Sequence, residues 1–271
     1  VLPVVQAFAT RHGAKIELTA APRHAMTLAA RAVHDGYELV VAVGGDGTMN
    51  EVASALVATP SILGLVPCGS GDGLGRHLRI HGPVTRALAI LVSGQPRLID
   101  SGLADGHPFF TVAGLGFEAE IADRFNRLSR RGFLPYVLLA ARAFAGWRPQ
   151  EFAVTDASGT RRLRAFTLAV ANASQYGNQA RIAPRARVDD GRLDLCAIPP
   201  LSPWNALPLA ARLFAGTLDR AASVVARQSE RFVVERAVPG LLHTDGETHP
   251  AGTRIEFQVR PASLRLLVPA P

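Results

Sequence analysis

Apolar positions in the first hundred or so residues follow two rhythms. They recur at helical spacing over residues 2–12, 25–35, 49–57 and 85–92, with a further helical start at Leu74, and they run together over 38–43 and 62–66. A short strand is also expected at 15–19. Alternation of this kind predicts an α/β layer around a largely parallel sheet. From Leu98 the texture changes. Residues 109–115, 150–155, 163–171, 192–198, 231–238 and 254–259 read as strands, separated by turn signals such as Ala157-Ser158-Gly159 and Asp189-Asp190-Gly191. Helical patterns over 134–147 and 202–214 interrupt them. The expectation is an α/β domain over residues 1–100 and a β-rich domain over 101–271, the last residues returning to the first domain.

Two glycine-rich turns follow the two buried runs of the first domain. Val40-Val41-Ala42-Val43 leads into Gly44-Gly45-Asp46-Gly47-Thr48, and the second run leads into Pro67-Cys68-Gly69-Ser70-Gly71-Asp72-Gly73. Each sits where a strand ends and a helix begins, the junction at which backbone N–H groups and the helix dipole favour a phosphate. Glycine lets the anion approach because no Cβ stands in the way. A carboxylate among such donors repels phosphate unless a cation or a shared proton intervenes, which makes Asp46 a candidate general base or magnesium partner for phosphoryl transfer. Glu51 reads as a helper or a first-turn helix charge. Asp72 reads equally as a ligand to a hydroxyl or as a plain helix cap. Downstream, His243-Thr244-Asp245-Gly246-Glu247 places two acids around a glycine, which taken alone is also what a hairpin turn looks like.

Composition narrows the picture modestly. A chain of 271 residues with 48% hydrophobic residues can bury a core, and it has no apolar run of membrane-spanning length. Two cysteines, Cys68 and Cys196, are too few for a disulfide framework, so a reducing compartment is expected. No secretory signal pattern opens the chain. The net charge of +7 comes from scattered arginines, with Lys15 the only lysine and aromatics not interleaved among them. That pattern argues against a nucleic-acid partner and leaves an anionic membrane surface or a phosphorylated ligand open.

Taken in order, these segments resemble the diacylglycerol kinase catalytic-domain family, which includes sphingosine kinases and bacterial lipid kinases. The likeness runs through both glycine turns, Asn50-Glu51-Val52, Gly114-Leu115-Gly116-Phe117-Glu118-Ala119, Ile182-Ala183-Pro184-Arg185-Ala186, Asp189-Asp190-Gly191 and Asp245-Gly246-Glu247. The resemblance implies a Rossmann-like three-layer nucleotide-binding domain followed by a β-sandwich. It implies ATP and Mg2+, and a lipid hydroxyl (of diacylglycerol or a sphingoid base) attacking the γ-phosphate. It also implies catalytic roles for Asp46, Asp245 and Glu247, and nucleotide contacts from Gly44, Gly45, Gly47, Thr48, Glu51, Gly69, Ser70, Gly71 and Asp72. Cation contacts fall to Asp46, Asp245 and Asp190, and a lipid head-group contact to Glu120. A cytoplasmic protein peripheral to the inner face of the membrane is expected, with a homodimer as one assembly.

Three features depart from the family pattern: Asp72 stands for an asparagine, Glu118 for an aspartate, and the family's first strand with its Asn-Pro turn is missing ahead of the helix at 2–12. Residues 134–141 with Phe144 and Trp147 read either as an acyl-chain groove or as core packing. An NAD kinase and a non-catalytic nucleotide or lipid sensor are the rival readings.

Overall fold

The computed structural model describes residues 1–69, 71–127, 133–144 and 146–270, without the side chains of 133–137 and 203. Two compact units emerge: residues 1–99 with 262–271, and residues 100–261.

In the first unit, helices α1 (Leu2–His12) and α2 (His24–His34) precede strand β1 (Leu39–Gly44). Helix α3 (Asp46–Leu56), strand β2 (Ile62–Pro67), the short α4 (Gly73–His77) and α5 (Val84–Ser93) follow. β1 and β2 pair in parallel from Leu39 opposite Ile62 to Gly44 opposite Pro67. β2 is covered on both faces and buried at both parities, whereas β1, at the sheet edge, buries Ala42 and leaves Val43 exposed. On one side Val41 and Val66 meet Phe8 of α1 and Ala87, Leu88 and Leu91 of α5. Ala42 and Leu65 line a void with Met49 of α3. Fully burying a leucine such as Leu63 is worth roughly 1.5–3 kcal/mol.

The second unit begins within β3 (Gln95–Ala104) and adds β4 (His107–Phe109), β5 (Val112–Gly116), α6 (Phe117–Asn126) and α7 (Phe133–Phe144). Then come β6 (Gln150–Asp156), β7 (Gly159–Ala165), β8 (Thr167–Ala171), β9 (Leu193–Ile198) and α8 (Pro203–Ala215). The remaining strands are β10 (Val225–Ser229), β11 (Arg231–Arg236), β12 (Gly240–Thr244), β13 (Glu247–Ala251) and β14 (Arg254–Val268). One antiparallel sheet has the order β10-β9-β8-β5-β12-β13, and within this unit β14 pairs β11, which pairs β6 and then β7. Alternate residues of both sheets, among them Phe109, Leu115, Phe152, Leu168, Leu195, Phe232 and Phe257, interdigitate in one core, which is a β-sandwich. The far half of β14 leaves this unit and pairs in parallel with β2, Arg265 opposite Ile62. Pro261 and the left-handed Ala262 (φ 47°) mark that passage.

Several elements differ from the sequence reading. Residues 15–19 form no strand: they are exposed, and Glu17 pairs with Lys15 and Arg31 instead of a ladder partner. The run 163–171 is two strands broken at Phe166. β3, β4, β10, β12, β13 and helix α6 were not expected, and β14 extends well past residue 259.

Candidate active site

The in-register pairing of β1 and β2 ends both strands at the same level, so the two glycine turns start side by side. The Cys68 N–H donates to the Gly44 carbonyl at 2.7 Å, continuing the ladder by one rung. Beyond it the turns touch glycine to glycine: a Cβ on Gly69 would lie 2.8 Å from the Gly45 Cα. A Cβ on Gly71 would lie 2.5 Å from Asp46 Oδ2, and one on Gly44 would lie 2.7 Å from Thr48 Oγ1. Gly47 faces open space.

Asp46, the first residue of α3, bridges the turns. Its carboxylate accepts the N–H of Asp72 at 3.1 Å and of Gly73 at 3.2 Å. Asp72 takes the position before α4 with a left-handed backbone (φ 53°), but its side chain makes no cap hydrogen bond. It pairs with His81 Nδ1 at 2.7 Å. Burial pushes the Asp72 carboxyl up, the His81 hydrogen bond opposes this, and the Asp46 charge raises it further. Arg76 Nε closes the second turn on the Gly71 carbonyl at 2.9 Å.

Gly44, Gly45, Asp46, Thr48, Gly69, Gly71 and Asp72 are thus brought together. Glu51 points elsewhere: its oxygens accept the N–H groups of Arg23 and Ala25 at 2.9 and 3.0 Å, capping the start of α2. Ser70 lies outside the described residues.

In the second unit, Asp245 and Gly246 (φ 51° and 90°) form the two-residue turn between β12 and β13, with Thr244 opposite Glu247. Asp245 does more than turn the chain. Its carboxylate accepts the N–H groups of Phe110, Thr111 and Val112 at 2.8, 2.9 and 3.1 Å, and the Thr111 hydroxyl. Glu247 is exposed at the head of β13. Behind the turn lies a network that the motif reading did not single out. Glu118, buried on α6, accepts the Tyr176 hydroxyl, and its Oε1 faces His243 Nε2 at 3.4 Å. His243 Nδ1 in turn accepts the Gly246 N–H at 3.4 Å. Gly114 makes room for Glu118, because a Cβ there would collide with Oε1. The motif Gly114–Ala119 carried the available signal: a carboxylate one residue into a helix after Gly-Leu-Gly. Tyr176 had none.

Glu120 pairs with Arg124 on α6 at 2.8 Å. Asp190 accepts the Arg192 N–H at 3.1 Å and Gln228 Nε2 at 2.9 Å. Asp194 nearby is pushed up to about 6 by burial and by the Asp190 charge. Trp147 donates its indole N–H to the Phe166 carbonyl and packs edge-on to Phe117, while Phe144 meets Phe166, as core residues do. The side chains of 134–137 lie outside the described residues. Both cysteines are free.

Comparison with known proteins agrees with this layout. Residues 2–104 match the diacylglycerol kinase catalytic domain, and residues 111–268 match the YegS C-terminal NAD kinase beta sandwich-like domain. A diacylglycerol kinase of Mycobacterium tuberculosis is 30% identical over 94% of this chain and 84% of its own. The chain belongs to the bacterial lipid kinase branch of the diacylglycerol kinase family. An uncharacterized protein of Synechocystis sp. is 27% identical over 87% of the chain, which spans only 56% of that relative's length. A diacylglycerol kinase structure from Bacillus anthracis shares the fold with a TM-score of 0.69 and 15% identity, covering 92% of this chain and 83% of that one. An NAD kinase from Archaeoglobus fulgidus in complex with ATP shares it at 0.56 and 14% identity, covering 98% and 88%.

Proposed function

We propose that this chain transfers the γ-phosphate of ATP to the hydroxyl of a membrane lipid, diacylglycerol or a sphingoid base. The observation that carries the reading is the pair of glycine turns held face to face by the Asp46 carboxylate. In this reading the nucleotide contacts are Gly44, Gly45, Gly47, Thr48, Gly69, Ser70, Gly71 and Asp72; the described residues of the two turns form a cradle so tight that a Cβ at Gly69 would meet the Gly45 backbone and one at Gly71 the Asp46 carboxylate. Such a cradle suits a polyphosphate. Asp46, oriented by two N–H groups, accepts the proton of the attacking hydroxyl or holds the cation. Asp245 and Glu247 are the acids of the second unit in this reading.

The donor set fits a cation that arrives with the nucleotide. Among the described residues no cluster of three or more His, Cys, Asp or Glu could hold a metal alone. Mg2+ commonly takes one or two carboxylates and completes its shell with phosphates and water. When bound, it neutralises charge on the transferred phosphoryl group. No described helix is long and apolar enough to cross a membrane; in this reading the lipid is met at the inner membrane surface.

The test is transfer of labelled phosphate from ATP to a lipid extract, with the product identified, beside a parallel reaction with NAD as acceptor. Label in lipid and none in NADP is the expected result. Label in NADP alone would make the protein an NAD kinase, the rival reading. ATP binding with transfer to neither would make it a sensor.

A further inference from the structure

Helix α8 has two apolar faces where one would suffice. It opens with a capping box, the Ser202 N–H donating to Asn205 Oδ1 at 2.7 Å, and ends on the left-handed Gly216. Leu209 and Leu213 point inward and pack with Ile182, Leu218 and Val224. A helix on the surface of a soluble domain ordinarily turns charged residues outward. Here the opposite face carries Trp204, Leu207 and Phe214, exposed to 89%, 76% and 48%, and α8 contains no acidic residue. Side chains at these spacings share one stripe, because steps of three and seven residues nearly complete one and two helical turns.

Arginines rim the far end of that stripe. Arg212 lies in the last turn, Arg181 runs alongside Gly216, and Arg220 is exposed just beyond it. Arg185 is also exposed, paired with Asp219 at 2.7 Å. Exposed apolar side chains beside clustered arginines match a partner that is apolar within and anionic at its surface.

We infer that the outer face of α8 is a membrane-docking surface that lies in the headgroup region of an anionic bilayer, with Trp204, Leu207 and Phe214 inserted and the arginine rim on the phosphates. A 13-residue helix is about 20 Å long, too short to span a hydrocarbon core of about 30 Å, so it rests in the interface plane. Tryptophan favours that depth, and arginine reaches headgroups while its stem stays apolar. The lipid-kinase reading enters only in the choice of a bilayer as partner.

The test uses the whole protein without nucleotide. In a Trp147→Phe background Trp204 is the only tryptophan, so its emission reports this face alone. Phosphatidylcholine vesicles containing phosphatidylglycerol should shift that emission to the blue and shield it from aqueous quencher. Leu207→Gln with Phe214→Ser should weaken vesicle binding more than about tenfold, since both apolar side chains lose their favourable transfer out of water. Arg212→Gln and Arg220→Gln should each weaken it by about fivefold, on anionic vesicles only. These positions are exposed, and circular dichroism checks that the variants keep their fold. Vesicle binding with unchanged Trp204 emission would overturn the inference, as would a Leu207/Phe214 variant that binds like wild type. Shielding of Trp204 that grows with protein concentration in the absence of vesicles would replace it with a self-interface. Phosphorylation of detergent-dispersed lipid is measured separately: if it fails while vesicle docking through α8 succeeds, the kinase reading falls and the docking surface stands.

Discussion

Asp46 and Asp245 both sit in tight turns, and both hold other loops through backbone N–H groups, yet they do so to different degrees. Asp46 joins two glycine turns through two N–H bonds of 3.1 and 3.2 Å, in a place where Cβ atoms have been removed. Asp245 gathers three N–H groups and a hydroxyl from the corner after β4. A carboxylate so wrapped acts first as a staple. The contrast teaches that an acid in a family motif can serve the fold as heavily as the chemistry, and that loss of activity alone does not separate the two.

The sharpest way to break the comparison is Asp46→Asn. Its expected effect is a loss of phosphate transfer of more than about tenfold, because a positioned base or cation ligand contributes at least that much, with a stability loss of only about 1 kcal/mol as one of the two N–H groups loses its acceptor. Near-normal turnover would remove Asp46 from the chemistry. Asp245→Ala should do the reverse first: leaving buried N–H groups of Thr111 and Val112 without an acceptor costs about 3 kcal/mol or more, read by denaturant unfolding. If that variant unfolds like wild type, the staple is misjudged. Gly69→Ala tests the glycine contact. Its Cβ would meet the Gly45 backbone, so about 1–3 kcal/mol of strain and weaker ATP binding are expected, measured by calorimetry.

Two smaller effects sharpen the picture. Glu51→Ala should cost about 1 kcal/mol of stability by uncapping α2 while leaving the KM for ATP unchanged. A raised KM would return Glu51 to the nucleotide. Asp194 is raised to about 6 in the fold from a usual value of 3.8. The native state therefore binds more protons than the unfolded chain between those values, and stability falls as pH rises from about 4 to about 6. Asp194→Asn should flatten that slope and add about 1 kcal/mol at neutral pH, discounted for partial exposure. A pH profile of unfolding unchanged by the substitution would refute the assignment.

Much of the first unit was legible because β2 is buried on both faces and announces itself as an unbroken apolar run over 62–66, and β1, though at the sheet edge, carries the same kind of run in Val40–Val43. The glycine turns were legible for the same reason: few sequences need that many residues without Cβ atoms. What escaped was set by pairing. β10, Val-Ala-Arg-Gln-Ser, and β13, Glu-Thr-His-Pro-Ala, occupy sheet edges where one side of the ladder is open and polar residues and Pro250 are tolerated. Residues 15–19 failed conversely, with strand-like composition and no neighbour to pair with. Glu51 and Asp245 found partners 26–28 and 133–135 residues away, and no local spacing reports such contacts.

Strand β14 carries a consequence for how the protein is made. The ribosome delivers α1 to α5 early, but the first unit's sheet lacks the strand beside β2 until Ala262–Val268 emerge, after the whole of Asp100–Pro261. Domains ordinarily fold in the order of synthesis. Here the second unit, contiguous in the chain, can complete its sandwich first, while the first unit waits with β2 half-paired. Throughout that interval one edge of β2 stands without its ladder partner, the kind of edge that other chains can pair with.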